Sequence, residues 1–166
     1  METHSQAKKY NIMKTADITV TIMVAFIIVF FSGNVMAQTR NESHTLLTNH
    51  HQAIMKHANA IASGEAKNIN EQIMHANEAR LSLAYAKKTH SQLKKTLTGK
   101  SLSAAIIHHD NIDRQHAIAT THANLLLTEL KNNNPDNAKL KEHARKLHVA
   151  IELAEKEHLE LIKDGK

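Results

Sequence analysis

Fourteen histidines stand among 166 residues, several-fold above ordinary usage, and their spacing gives them chemical meaning. The densest stretch runs from Ile106 to His122 and holds His108, His109, His116 and His122 together with Asp113. On a helix, His109, Asp113 and His116 fall within about 60° of one another at 100° per residue. Imidazole and carboxylate on one helix face is how a helix presents ligands to a transition metal. A solvated polar helix rich in His would look the same locally, so the weight of this pattern rests on whether the chain repeats it.

Composition narrows the chemistry. There is no Cys, so no disulfide framework, thiolate metal site or Cys-x-x-Cys-His haem attachment is available. The net charge is a modest +5, and Lys and Arg interleave with Glu, which speaks against a nucleic-acid surface. No Ser-His-Asp nucleophile or Gly-rich phosphate loop is evident, and a non-catalytic protein is expected. Aromatics are 3%, Gly numbers four and Pro one, so an aliphatic, Ala-rich helical core follows.

The elements that must position the histidines read directly from the pattern. Lys8, Lys9 and Lys14 precede a 14-residue run, Ile18 to Phe31, that is apolar apart from Thr19 and Thr21. Ser32-Gly33-Asn34 and Val35-Met36-Ala37 follow, which completes the plan of a secretory signal peptide over 1–37, cleaved between Ala37 and Gln38. The alternative is an uncleaved anchor, for which the run is short against the roughly 20 residues of a span. Residues 38–166 are then the mature chain, periplasmic or secreted.

Four helices are expected there. The first runs from about His44 to Ala62 and stops before Gly64. The second is capped by Asn68 or Asn70 and runs to about Leu97, before Gly99. The third is capped by Ser101 and runs to about Lys131. The fourth begins with Asn134 as cap and Pro135 at its first position, and runs to about Lys163. Short loops and 3-4 spaced seams imply an all-α, up-down-up-down four-helix bundle.

The histidine pattern does repeat. His44, His51 and His57 recur 65 residues on as His109, His116 and His122, while His75 and His90 recur 68 residues on as His143 and His158. Ala58, Ala76, Ala86 and Leu93 keep step with Ala123, Ala144, Ala154 and Leu161. The chain therefore reads as a duplicated helical hairpin, with halves at about 43–98 and 101–163. In antiparallel register, His44 stands opposite His90, His109 opposite His158, His57 opposite His75, and His122 opposite His143. His44, His90, His109 and His158 are expected to form one inward layer, with His51 and His116 one heptad deeper. Asp113 and Glu155 flank the layer, and Glu155-x-x-His158 and Asp113-x-x-His116 have the carboxylate–His spacing of bundle metal sites. His57 with His75 and His122 with His143 form flank pairs, with Glu71 or Glu78 near His75.

Imidazole with occasional carboxylate suits Cu(II), Ni(II) and Zn(II), and copper ranks first on affinity. The segments Lys56-His57-Ala58-x-x-Ile61-x-x-Gly64, Met74-His75-Ala76, Ala86-Lys87 and Glu142-His143-Ala144 with Ile151 resemble the small metal-binding protein family of His-rich exported helical bundles. The resemblance implies a periplasmic four-helix bundle that sequesters several copper, nickel or zinc ions, with His57, His75, His116, His122 and His143 among the ligands. His50-His51-Gln52-x-Ile54 is similar to a segment of another exported, ferritin-like, copper-associated family, but is too short to carry residues across. Metal ions are the expected partners of a monomer, without nucleic acid and without membrane contact after cleavage. Two other functions compete: a helical periplasmic chaperone or adaptor in which His senses pH or metal, and a ferritin-like metalloenzyme, which would want more Glu on the seams.

Overall fold

The computed structural model describes residues 40–96 and 99–164, with side chains described for 40–96 and 105–163. The expected signal peptide, its cleavage site and the side chain of Ser101 lie outside the described residues. Four helices, with no strand among the described residues, form the bundle: α1 (40–63), α2 (Ile69–Lys95), α3 (Gly99–Leu130) and α4 (Asn137–Asp164). No helix among the described residues is long and apolar enough to cross a membrane.

The helix ends follow local chemistry. α1 stops at Gly64, whose φ of 84° places it in the left-handed region that a Cβ disfavours. Asn68 caps α2: its side chain accepts from the Glu71 N–H at 3.0 Å, while Glu71 Oε2 accepts from the Lys67 N–H at 2.7 Å. Both carboxylate oxygens of Glu71 are engaged at the cap, Oε2 by the Lys67 N–H and Oε1 by the Asn68 side-chain amide at 2.6 Å. Two expected caps are corrected. α3 already begins at Gly99, so Ser101 lies inside it. Asp136, rather than Asn134, caps α4, since Asp136 Oδ1 accepts from the Ala138 and Lys139 N–H groups at 2.8 and 3.3 Å. A carboxylate facing two free N–H groups at the positive end of a helix is the stronger cap, and Pro135 is left in the turn.

The duplication is visible in which positions are buried. Leu47, His51, Ile54, Ala58 and Ile61 of α1 match Ile112, His116, Ala119, Ala123 and Leu126 of α3. Ala76, Ala79, Leu83, Ala86, His90 and Leu93 of α2 match Ala144, Leu147, Ile151, Ala154, His158 and Leu161 of α4. Each matched pair lies on the inward face of its helix, so the two hairpins contribute equivalent halves of one core. Toward the interhelical turns the core is wholly apolar, through Ile61, Leu126, Leu130 and Leu140. At the other end, where α1 and α3 begin and α2 and α4 finish, imidazoles occupy the seam, close to a small apolar cluster of Ala105, Ile112, Ala154 and Leu161.

Candidate metal centre

Five of the six seam histidines are buried: His51, His90, His109, His116 and His158. His44 is half-buried. They form one continuous run of rings. His44 Nδ1 lies 2.9 Å from His158 Nε2, and the His158 ring centroid is 6.2 Å from that of His51. His51 Nε2 lies 2.8 Å from His116 Nε2, and the His116 ring is 5.7 Å from His90. His90 Nε2 lies 2.8 Å from His109 Nδ1. The repeat sets His51 against His116, so their contact sits on the pseudo-twofold relation between the halves. The His44–His158 and His109–His90 contacts are equivalents of each other.

This arrangement corrects one expectation. His44 was expected opposite His90 and His109 opposite His158, each within its own hairpin. The contacts instead run between hairpins, α1 to α4 and α2 to α3. The reason is rotation: the flank histidines precede the seam positions by one residue, about 100° around the helix. The flank positions face the partner within the hairpin, and the seam positions face the other hairpin. Accordingly the flank pairs are as expected. His57 Nδ1 is 2.8 Å from His75 Nδ1, and the rings of His122 and His143 stack at 5.6 Å. The second deviation concerns the opening motif. Asp113 groups with His90 and His116, while His109 stands behind His90.

Carboxylates complete two sets of donors. His51, Glu155 and His158 bring one ligand atom each within 4.8 Å of one another, and His90, Asp113 and His116 do the same. Glu155 Oε2 accepts from His51 Nδ1 at 2.6 Å and lies 3.4 Å from His158 Nδ1, while Glu155 Oε1 accepts from the Thr48 hydroxyl at 2.8 Å. Burial works to raise the Glu155 carboxyl, but the hydrogen bonds from His158, His51 and Thr48 outweigh it and hold the group down to about 2. Asp113 Oδ1 accepts from His90 Nδ1 at 3.0 Å, and Lys94 Nζ donates to Asp113 Oδ2 at 3.0 Å. Burial also opposes ionisation of Asp113, and the hydrogen bond and charge of Lys94, with the hydrogen bond from His90, hold it below the usual carboxylate range.

The carboxylates fix ring states. His51 and His90 each donate Nδ1–H to a carboxylate, and in that tautomer Nε2 is the acceptor for the next histidine. His116 and His109 are those donors, and their remaining nitrogens, His116 Nδ1 and His109 Nε2, are buried with no hydrogen-bond partner among the described residues. An unpartnered buried nitrogen costs roughly 1–3 kcal/mol. Burial first, and then the neighbouring His51 and His90, push His116 down to about 3; burial, His90 and Lys94 push His109 down to about 4. These imidazoles stay neutral, the state in which nitrogen binds metal.

The donors therefore fit a divalent transition ion: two imidazoles and one carboxylate per set, with a buried nitrogen of His116 lacking a partner among the described residues. Contacts near 2.8 Å are hydrogen bonds, shorter than the roughly 3.3 Å between two nitrogens on one tetrahedral ion.

Outside the core, three other described histidines are tied to protein groups. His108 Nδ1 donates to Glu157 Oε2 at 2.8 Å, His50 stacks on Tyr85 with centroids 5.5 Å apart, and His148 Nδ1 donates to the Met55 carbonyl at 3.2 Å. Glu78 stands near the first flank pair and acts on His57 as a nearby negative charge, although burial, followed by His75, sets the downward direction for that ring. In the second flank pair, Nδ1 of both His122 and His143 is buried without a partner among the described residues.

Sequence reading missed Thr48 and Lys94. Both were reachable: Thr48 is the repeat counterpart of Asp113, at the 65-residue shift, and Lys94 lies one turn beyond His90 on the same face. Comparisons with protein-family models, with curated proteins and with solved structures find no match.

Proposed function

We propose that this chain is an exported metal-binding protein that buffers or sequesters divalent transition metal through the histidines of its bundle, copper first and then nickel or zinc. One observation carries the reading: two His–His–carboxylate sets whose four histidines are buried and joined by a His51–His116 contact, where apolar side chains would serve a purely structural core better. The donors are nitrogen and oxygen without thiolate, which places Cu(II) ahead of Ni(II) and Zn(II) by intrinsic affinity. Export rests on the basic, apolar and small-residue succession before Gln38, as in the His-rich exported bundles of the small metal-binding protein family. We read the protein as non-catalytic, because each set has a single carboxylate and Glu-x-x-His occurs on the seam once, at Glu155 and His158.

The adaptor reading has one observation in its favour. A shallow apolar groove between α3 and α4 is lined by Ile118, His122, Val149 and Leu153. The metal reading is preferred because the buried histidines of the two carboxylate–imidazole sets have no role in docking.

Metal should stabilise the fold. A ligand that binds the folded chain at a hundred times its Kd adds about 2.7 kcal/mol, which raises the melting temperature by on the order of 10 °C for a domain of this size. Thermal melts of the purified protein with Cu(II), Ni(II) or Zn(II) against a chelator check this. An unchanged melting temperature with all three metals would refute the proposed function.

A further inference from the structure

The two donor sets are related by the repeat in their imidazoles and unrelated in their carboxylates. His51 corresponds to His116 and His158 to His90, but Glu155 corresponds to Lys87 and Asp113 to Thr48. One set draws its carboxylate from α4 and the other from α3, and the surroundings differ. Glu155 has a side chain only 13% exposed, and its partners are Thr48, His51 and His158. Asp113 is 52% exposed and is bridged by Lys94, whose Nζ also lies 3.3 Å from Asp110 Oδ1. A metal reaching the first set meets a carboxylate with no Lys or Arg against it, held by Thr48, His51 and His158. A metal reaching the second meets a carboxylate already paired: Oδ1 faces His90 Nδ1 at 3.0 Å and Oδ2 carries the Lys94 ammonium at 3.0 Å, so the ion must settle beside a positive charge. The His51–His116 contact ties the sets together, so the second ion also feels the charge of the first.

We propose that the sets form a paired centre with a tight half and a weak half, and that Lys94 determines the weakness of the second. The first divalent ion takes His51, Glu155 and His158. The second takes His90, Asp113 and His116 against the repulsion of the Lys94 ammonium on the same carboxylate. This rests on the proposed metal-binding function and assigns its two steps.

The test is calorimetric titration with Zn(II), which has no redox chemistry, on protein purified after expression of the full chain. Wild type gives two steps, the first at least about tenfold tighter. Lys94 is partly exposed, so Lys94→Gln leaves the fold intact. It should tighten the second step by about tenfold and change the first by less than about threefold. Lys94→Arg should keep the wild-type pattern, and Asp113→Asn should lose the second step while it spares the first. Equal steps in wild type, a single step, or a second step that Lys94→Gln fails to tighten would overturn the inference. If wild type gives two steps but Lys94→Gln has no effect, only this assignment falls. If wild type binds no metal, the proposed function falls with it.

Discussion

Acidification of the metal-free protein from about pH 6.5 to about pH 4 should unfold it. The direction follows from the buried imidazoles. In the unfolded chain they take protons near pH 6.5. In the fold, His109 does so only near 4 and His116 only near 3, with burial the largest cause for both. His90 is lowered by burial as well, against the opposing pull of Asp113. Below about pH 6.5 the unfolded state therefore binds more protons, and stability falls with pH until the folded rings also protonate. His109 and His116 together account for a loss on the order of 5 kcal/mol by pH 4, comparable to the whole stability of a small domain. Glu155 extends the loss at lower pH: its contribution is complete above its unfolded pKa and disappears as pH falls toward about 2. Helical circular dichroism and chemical denaturation with a chelator present measure the effect. Stability that stays level from pH 7 to pH 5 would show that the core imidazoles are not held neutral. Metal should defer the transition, because an ion on the imidazoles competes with the same protons.

Replacing both central rings, His51→Leu with His116→Leu, should make the metal-free protein more stable and remove its stabilisation by metal. Both rings are buried, and His116 Nδ1 has no partner among the described residues. Leu is close in volume and well suited to a seam position. Exchange of a buried polar pair for apolar groups of similar size is commonly neutral to stabilising, here by about 1–3 kcal/mol or roughly 5–10 °C. Glu155 loses its shortest hydrogen bond but keeps Thr48 and some access to water, so it offsets only part of the gain. Melting curves with and without Cu(II) report both halves of the expectation. A lower melting temperature for the metal-free double variant would mean that the histidines serve the fold and not a ligand. Single substitutions should behave differently, because each leaves a buried imidazole without its partner.

The fold was legible because its cause is periodic. Apolar residues at 3-4 spacing, Gly64, and the Asn-rich turn before Pro135 are local signals, and duplication made each helix a check on another. The flank pairs were legible for the same reason, since register within a hairpin is set by one short turn. The core partners were not. Which histidine faces which across the bundle depends on how each helix is rotated and how the hairpins dock, and neither is encoded in one stretch of chain. Thr48 and Lys94 show a second limit. Each matters through a carboxylate on another helix, Glu155 and Asp113, so neither stands out until the helices are assembled. The capping of α4 by Asp136 turned on whether Pro135 opens the helix or precedes it, a choice between neighbouring residues that local preference leaves nearly even.

The most direct measurement is calorimetric titration of the protein with Cu(II), Ni(II) and Zn(II) at about pH 7.5, where imidazole is neutral, in the folded state and again in urea. A prepared set of buried donors predicts saturable binding by the folded protein at least about a hundredfold tighter than by the unfolded chain, with copper tightest. Equal affinity in the two states would contradict it: the histidines would then bind as any His-rich peptide does, and the buried core would have no part in holding metal.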